Sequence, residues 1–109
     1  MKKIVWLGSA LDDIRDFPPV ARQQAGRLLR MTQEGDEPHD VKHMPSIGMG
    51  VMEIRIHHRS EYRVVYVAKF MEAVYVLHCF AKKTMKTDLR DINLAKERYK
   101  LIARMKGLS

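Results

Sequence analysis

Between Val51 and Ala81 the chain has little choice but to form three antiparallel strands. Three runs rich in β-branched and aromatic residues span about Val51 to His57, Glu61 to Phe70 and Val74 to Ala81, with Glu72 at the second turn. Connections this short join antiparallel neighbours, because a parallel pair needs a long crossover. Alternation within the first two runs then fixes their pairing. Met52, Ile54 and Ile56 alternate with Glu53, Arg55 and His57, while Tyr62, Val64 and Tyr66 alternate with Arg63, Val65 and Val67. A slip of one residue would turn every side chain of one strand to the wrong face. Only an odd-length connection around His58 to Ser60 brings the apolar sets together. In that register Ile56 faces Tyr62, Ile54 faces Val64, and Arg55 lies across from Arg63 on the opposite face.

The remaining elements follow from capping and periodicity. Lys3 to Leu7 reads as a short strand ended by Gly8, and Ser9 with Asp12 three positions on offers a helix N-cap. Phe17-Pro18-Pro19 stops that helix, and Pro19 suits the first turn of the next. The second helix runs from about Pro19 to Gln33, with Val20, Ala21, Ala25, Leu28, Leu29 and Thr32 as its apolar stripe. Arg22, Gln23, Arg27 and Arg30 take the other face, and Gly35 ends the helix. Asp36 to Gly50 reads as a plain loop of functional length. His39 and His43 are spaced i, i+4 there, which suits a metal only on a helix; Pro38 and Pro45 argue against one. A last helix spans about Asp88 to Lys106, with Asp88 as cap and Gly107 as stop. The order strand, two helices, three-strand meander, helix gives a single α+β domain over residues 1–109 with a small antiparallel sheet. Helices are expected to cover one face of that sheet and to leave the other open.

Charge says what the open face would attract. Lys and Arg number 20 against 13 Asp and Glu, a net +7, which favours polyanions, nucleic acid foremost. An anionic membrane surface or an acidic protein would fit the same number. Cys79 stands alone inside an apolar strand, so a disulfide framework is excluded and a small buried residue is expected. No stretch approaches the roughly 20 apolar residues of a bilayer span, and the chain reads as cytoplasmic. On the open face two arginines opposite each other repel. Either Glu53 and Glu61 neutralise them, or Arg55 and Arg63 together hold an anion such as phosphate, whose oxygens suit their planar forks. Lys82 and Lys83 at the tip of the last strand join the same patch. His57 shares the Arg55 face and could titrate near neutrality, whereas His78 reads as a satisfied core histidine. The basic face of the last helix, including Arg98, Lys100 and Arg104, is either a solvated surface or a grip on RNA or an acidic partner.

The strings "GVMEIRI", "YRVVYV" and "VYVLHCFAKKTMKT", preceded by Trp6, Gly8 and Ser9 and by "PPVARQQAGRLL", resemble the RelE/ParE toxin superfamily. The similarity is closest to its phage-derived HigB-like branch and runs from Ile4 to about Arg104. It implies a microbial-RNase-like (RelE-like) sheet with helices on one face. The activity implied is that of a type II toxin, often an mRNA interferase: an endoribonuclease that cuts mRNA on the ribosome by attack of the 2′-hydroxyl, with no metal or cofactor. The partner implied is an antitoxin, commonly a helix-turn-helix protein. Residue by residue, Arg63 matches the family's phosphate-contacting arginine, Arg55 a basic position on the preceding strand, and Lys82 and Lys83 the basic pair closing the last strand. The tyrosine that well-known ribonucleases of the family carry after that pair is absent; Met85, Lys86, Thr87, Asp88 and Leu89 stand there. The acid and base are therefore open among His57, Lys86 and the lysine pair. A ParE-like gyrase inhibitor and a non-toxic basic binding module are the alternatives. An open-face Arg63 would also be replaceable by Ala with little change in thermal midpoint.

Overall fold

In a computed structural model that describes residues 1–108, the elements are β1 (Lys3–Trp6), α1 (Ala10–Arg15), α2 (Pro19–Gln33), β2 (Val41–His43), β3 (Val51–His58), β4 (Ser60–Val67), β5 (Ala73–Lys82) and α3 (Leu89–Met105). They form an α+β fold around one five-stranded sheet in the order β1-β5-β4-β3-β2. The meander of β3, β4 and β5 is antiparallel as the short connections require. β1 joins it in parallel, Lys3 beside Ala73 through Trp6 beside Val76, so the sheet is mixed rather than purely antiparallel. Alternation sets the β3–β4 register: Ile54 faces Val64, Ile56 faces Tyr62 and Arg55 faces Arg63. A single residue, Arg59, closes the hairpin in the left-handed region at φ 61°.

The Asp36–Gly50 segment is not the plain loop expected. Its β2 residues pair with the outer edge of β3, Val41 opposite Ile54 and His43 opposite Met52. A sheet edge has unpaired amides to offer, and Val41 supplies one apolar residue to the core beneath. α2 begins on Pro19 after an extended Pro18 (ψ 150°) and ends in a Schellman motif. There Gly35, at φ 91°, and Asp36 donate to the carbonyls of Thr32 and Met31. Asp88 caps α3 by accepting from the Arg90 amide at 2.9 Å. Ser9 occupies the N-cap position of α1 without capping: its hydroxyl donates to Asp13 Oδ2 at 2.7 Å and accepts from Arg98 Nη2 at 3.1 Å.

The expectation of one uncovered face is also corrected. α1, α2 and the turn between them bury Ile14, Phe17, Ala21, Ala25 and Leu29 against Ile54, Ile56, Val64, Tyr66, Val74 and Val76. α3 packs on the reverse side, where Ala95 and Ile102 meet Val65, Val67, Tyr75, Leu77 and Phe80, joined by Met44 and Ile47. The cause lies in β4 and β5, which are apolar on both faces and need cover on both. A bulge strengthens that second face. β5 pairs His78 with Val65 and Val76 with Tyr66, leaving Leu77 unpaired and turned toward α3. The Leu77 carbonyl accepts from Arg98 Nη1 at 2.9 Å.

Candidate active site

The part of the second face that α3 leaves free lies toward the Arg59 turn, and the charged residues of β3 and β4 collect there. Glu53, Arg55 and His57 alternate along β3; Arg63 and Glu61 stand opposite them on β4, and Lys82 pairs with Glu61 from β5. The patch is internally neutralised rather than bare. Arg63 is only 3% exposed and Glu53 is equally buried at 3%. Arg63 Nη2 donates to Glu61 Oε1 at 3.0 Å and its Nη1 to the Tyr62 carbonyl at 3.0 Å. Its Nε lies 3.7 Å from Glu53 Oε1, near enough for charge attraction and too far for a hydrogen bond.

A run of alternating charges links the two arginines. From Arg63 it passes through Glu61 to His57 Nδ1 at 2.7 Å, and from His57 Nε2 to Asp40 Oδ2 at 2.6 Å. Asp40 Oδ1 then reaches Arg55 Nη1 at 3.7 Å. Asp40 is itself held by backbone, its carbonyl accepting from the Arg55 amide at 3.0 Å. Both ring nitrogens face carboxylate oxygens, and these hydrogen bonds, to Glu61 first and then to Asp40, raise the His57 pKa and favour the protonated ring. The same bond to His57, aided by Arg63, lowers the Glu61 pKa. Glu53 moves the other way. Burial raises its pKa above 4.5, opposed by the charges of Arg63, Lys42, Lys82 and Arg55 in that order.

Three buried polar atoms in this cluster have no hydrogen-bond partner: Glu53 Oε2, Arg55 Nε and Arg63 Nε. Unsatisfied buried groups are rare, and each carries a desolvation penalty. All three lie on the one carboxylate and the two guanidiniums of this cluster. Two clefts border it. One runs between Lys42–Ser46 and the segment from Lys82 to Ile92, with Lys86 on its wall. The other lies at the hairpin tip, lined by His57, Arg59, Glu61, Lys82 and Lys83.

The expected site residues therefore divide. Arg55, Arg63, Lys82 and His57 share one face, while Lys83 lies past the end of β5 in the tip cleft. Arg98 is turned inward onto Leu77, Ser9 and His78, with 3.2 Å from Nη1 to His78 Nδ1. Lys100 and Arg104 stay exposed on α3. His78 is buried and satisfied: with Nδ1 accepting from Arg98, its Nε2 donates to Asp91 Oδ1 at 2.7 Å. Sequence reasoning gave Glu53 only the task of relieving repulsion and did not place Asp40 or Lys42. The signal for Glu53 was its position two residues before Arg55, which fixes it on the same face.

Among the described residues no group of three or more His, Cys, Asp and Glu is placed to hold a metal ion, and no helix is long and apolar enough to cross a membrane. No curated protein matches the chain. A family model described as "Phage derived protein Gp49-like (DUF891)" matches residues 12–100, which covers the meander, the charged cluster and most of α3. The chain thus belongs to the phage-derived Gp49-like family, a family associated with RelE-like toxins of toxin–antitoxin pairs.

Proposed function

We propose that this chain is the toxin of such a pair and that it cleaves RNA, with mRNA on the ribosome as substrate, at the Glu53–Arg55–Arg63 cluster. The observation that carries this reading is a buried carboxylate with a raised pKa, ringed by four cationic side chains and flanked by unsatisfied guanidinium nitrogens. RNA supplies its own nucleophile. Glu53 takes the proton from a 2′-hydroxyl, the freed oxygen attacks the adjacent phosphorus, and the bond from phosphorus to the 5′-oxygen breaks. Arg55 and Arg63 stabilise the charge that builds on the phosphoryl oxygens. His57, protonated between its two carboxylates, or Lys82 gives a proton to the departing 5′-oxygen; Lys83 and Lys86 steer the backbone from the cleft walls. In the resting molecule Glu61 and Asp40 stand where the phosphate oxygens would go, so substrate enters by displacing them from the arginines. The antitoxin, a helix-turn-helix protein in the HigB-like branch, opposes this by binding the toxin.

The test uses translating ribosomes on a defined message and a free oligonucleotide of the same sequence. The expected result is new ends carrying a 5′-hydroxyl, lost when a 2′-deoxynucleotide replaces the scissile one. Absence of new ends in both settings refutes nuclease activity. One observation favours a second reading, inhibition of DNA gyrase: Arg63 is already paired internally, and no tyrosine follows Lys83. A supercoiling assay with the purified chain separates the two.

A further inference from the structure

The outer face of α2 lies on the far side of the sheet from the Glu53 cluster, since α2 packs on the Ile54–Val64 face and the cluster faces the other way. Arg22, Arg27 and Arg30 are exposed there, and Gly26 sits among them, four residues from Arg22 and four from Arg30. Residues four apart on a helix are neighbours about 6 Å apart along the axis. A Cβ built on Gly26 meets nothing within 4 Å, so the fold does not need a glycine at this place. Glycine in a helix interior lowers stability relative to alanine, and here no internal contact explains it. The bare backbone between two turns of arginine leaves a shallow saddle. The counter-charge is slight. Glu34 pairs with Arg30 at 3.4 Å at one end, and Arg22 Nη1 rests on the exposed Arg15 carbonyl at 3.2 Å.

We infer that this face of α2 is a second nucleic-acid site, seating the phosphate backbone of double-helical RNA against Gly26 with Arg22, Arg27 and Arg30 around it. A glycine saddle brings phosphate oxygens close to the helix, and arginine forks suit them there. A membrane surface fits poorly, because the apolar stripe a surface helix would insert is buried, through Ala21, Ala25 and Leu29, in the core. Double-helical RNA is recognised through backbone and shape, which matches a face holding arginines and no base-reading amides beyond Gln23. Choosing RNA over DNA rests on the nuclease reading above. The site itself does not, because it is measured by binding without cleavage. It would hold the protein on structured RNA while the opposite face receives a single strand.

The experiment measures anisotropy of a short RNA duplex, a DNA duplex of the same sequence and vesicles containing anionic phospholipid, across a salt series. The RNA duplex should bind best. Arg27→Ala and Arg30→Ala should each reduce the salt slope by roughly 0.9, the share of one phosphate that the variant no longer neutralises. Gly26→Ala should weaken duplex binding several-fold while raising the thermal midpoint, an opposition that a misfolded variant cannot produce. Arg27→Ala and Arg30→Ala should leave binding of a short single-stranded oligonucleotide unchanged, which separates this site from the cluster. Unchanged duplex binding by Gly26→Ala and the arginine variants overturns the proposal, as does equal or tighter binding to DNA or to vesicles.

Discussion

Replacing Arg63 by alanine tests whether its guanidinium belongs to the packed protein or to an open surface. On an open face the loss would be small. In the structure Arg63 is 3% exposed and is the leading attractive charge on the buried Glu53. Removing one partner of a buried pair costs about 3–5 kcal/mol, because the remaining charge is left unsolvated. Glu53 limits that cost by taking up a proton, which places the expected loss near the lower bound, about 3 kcal/mol at neutral pH. With roughly 2.1 cal/mol/K of unfolding entropy per residue, this 109-residue chain should lose about 13 °C of thermal midpoint. The pH dependence has a definite sign. A carboxyl whose folded pKa is raised binds its proton more tightly in the folded state. The variant should therefore regain stability as pH falls through the raised value, and the gain should level off below the ordinary 4.5. Adding Glu53→Gln to Arg63→Ala should recover a large part of the loss and remove the pH dependence. The assay is thermal and denaturant unfolding of the single and double variants at neutral and mildly acidic pH. A midpoint unchanged by Arg63→Ala, or a loss that Glu53→Gln deepens, refutes the buried-pair argument.

The charge run around His57 makes a second prediction. Its raised pKa means its stabilising contribution is complete below 6.5 and is lost as pH rises through the higher folded value; His57→Gln should flatten the dependence of thermal midpoint on pH above 6.5. Glu61→Gln, which frees Arg63 Nη2 from a charged partner, should tighten RNA binding in a filter or anisotropy assay with little change in fold. Cys79 is buried among apolar side chains, and burial pushes its thiol pKa far up. It should resist a thiol reagent in the native state and react at a rate that follows the denaturant unfolding curve.

How far the sequence could be read depends on which interactions set each feature. The β3–β4 register was legible because side chains alternate with period two, so a few apolar residues decide it. The double cover of the sheet was legible in principle: Val64, Val65, Tyr66 and Val67 are buried without interruption, and such a run belongs to a strand with both faces covered. β2 was not legible, because its hydrogen bonds come from the free edge of β3 and not from any periodicity in Asp36–Gly50. Ser9 failed as a cap for a similar reason. Arg98, 89 residues away, and Asp13 take up its hydroxyl.

The state of the charged cluster was the least legible part, and the reason is built into the alternation itself. Any register that sets Arg55 against Arg63 also sets Glu53 and Glu61 on the same face. The residues that would bind an anion and those that would replace it are therefore written by one pattern. Burial decides between them. Glu53 is enclosed and disfavours its charge, whereas Glu61 is exposed enough to keep its charge in water. On the proposed nuclease reading, an entering phosphodiester displaces the two exposed carboxylates, Glu61 and Asp40, and leaves the enclosed Glu53 as the proton acceptor. On this argument the internal pairing is the resting form of the site, and it holds both guanidiniums in place before substrate arrives.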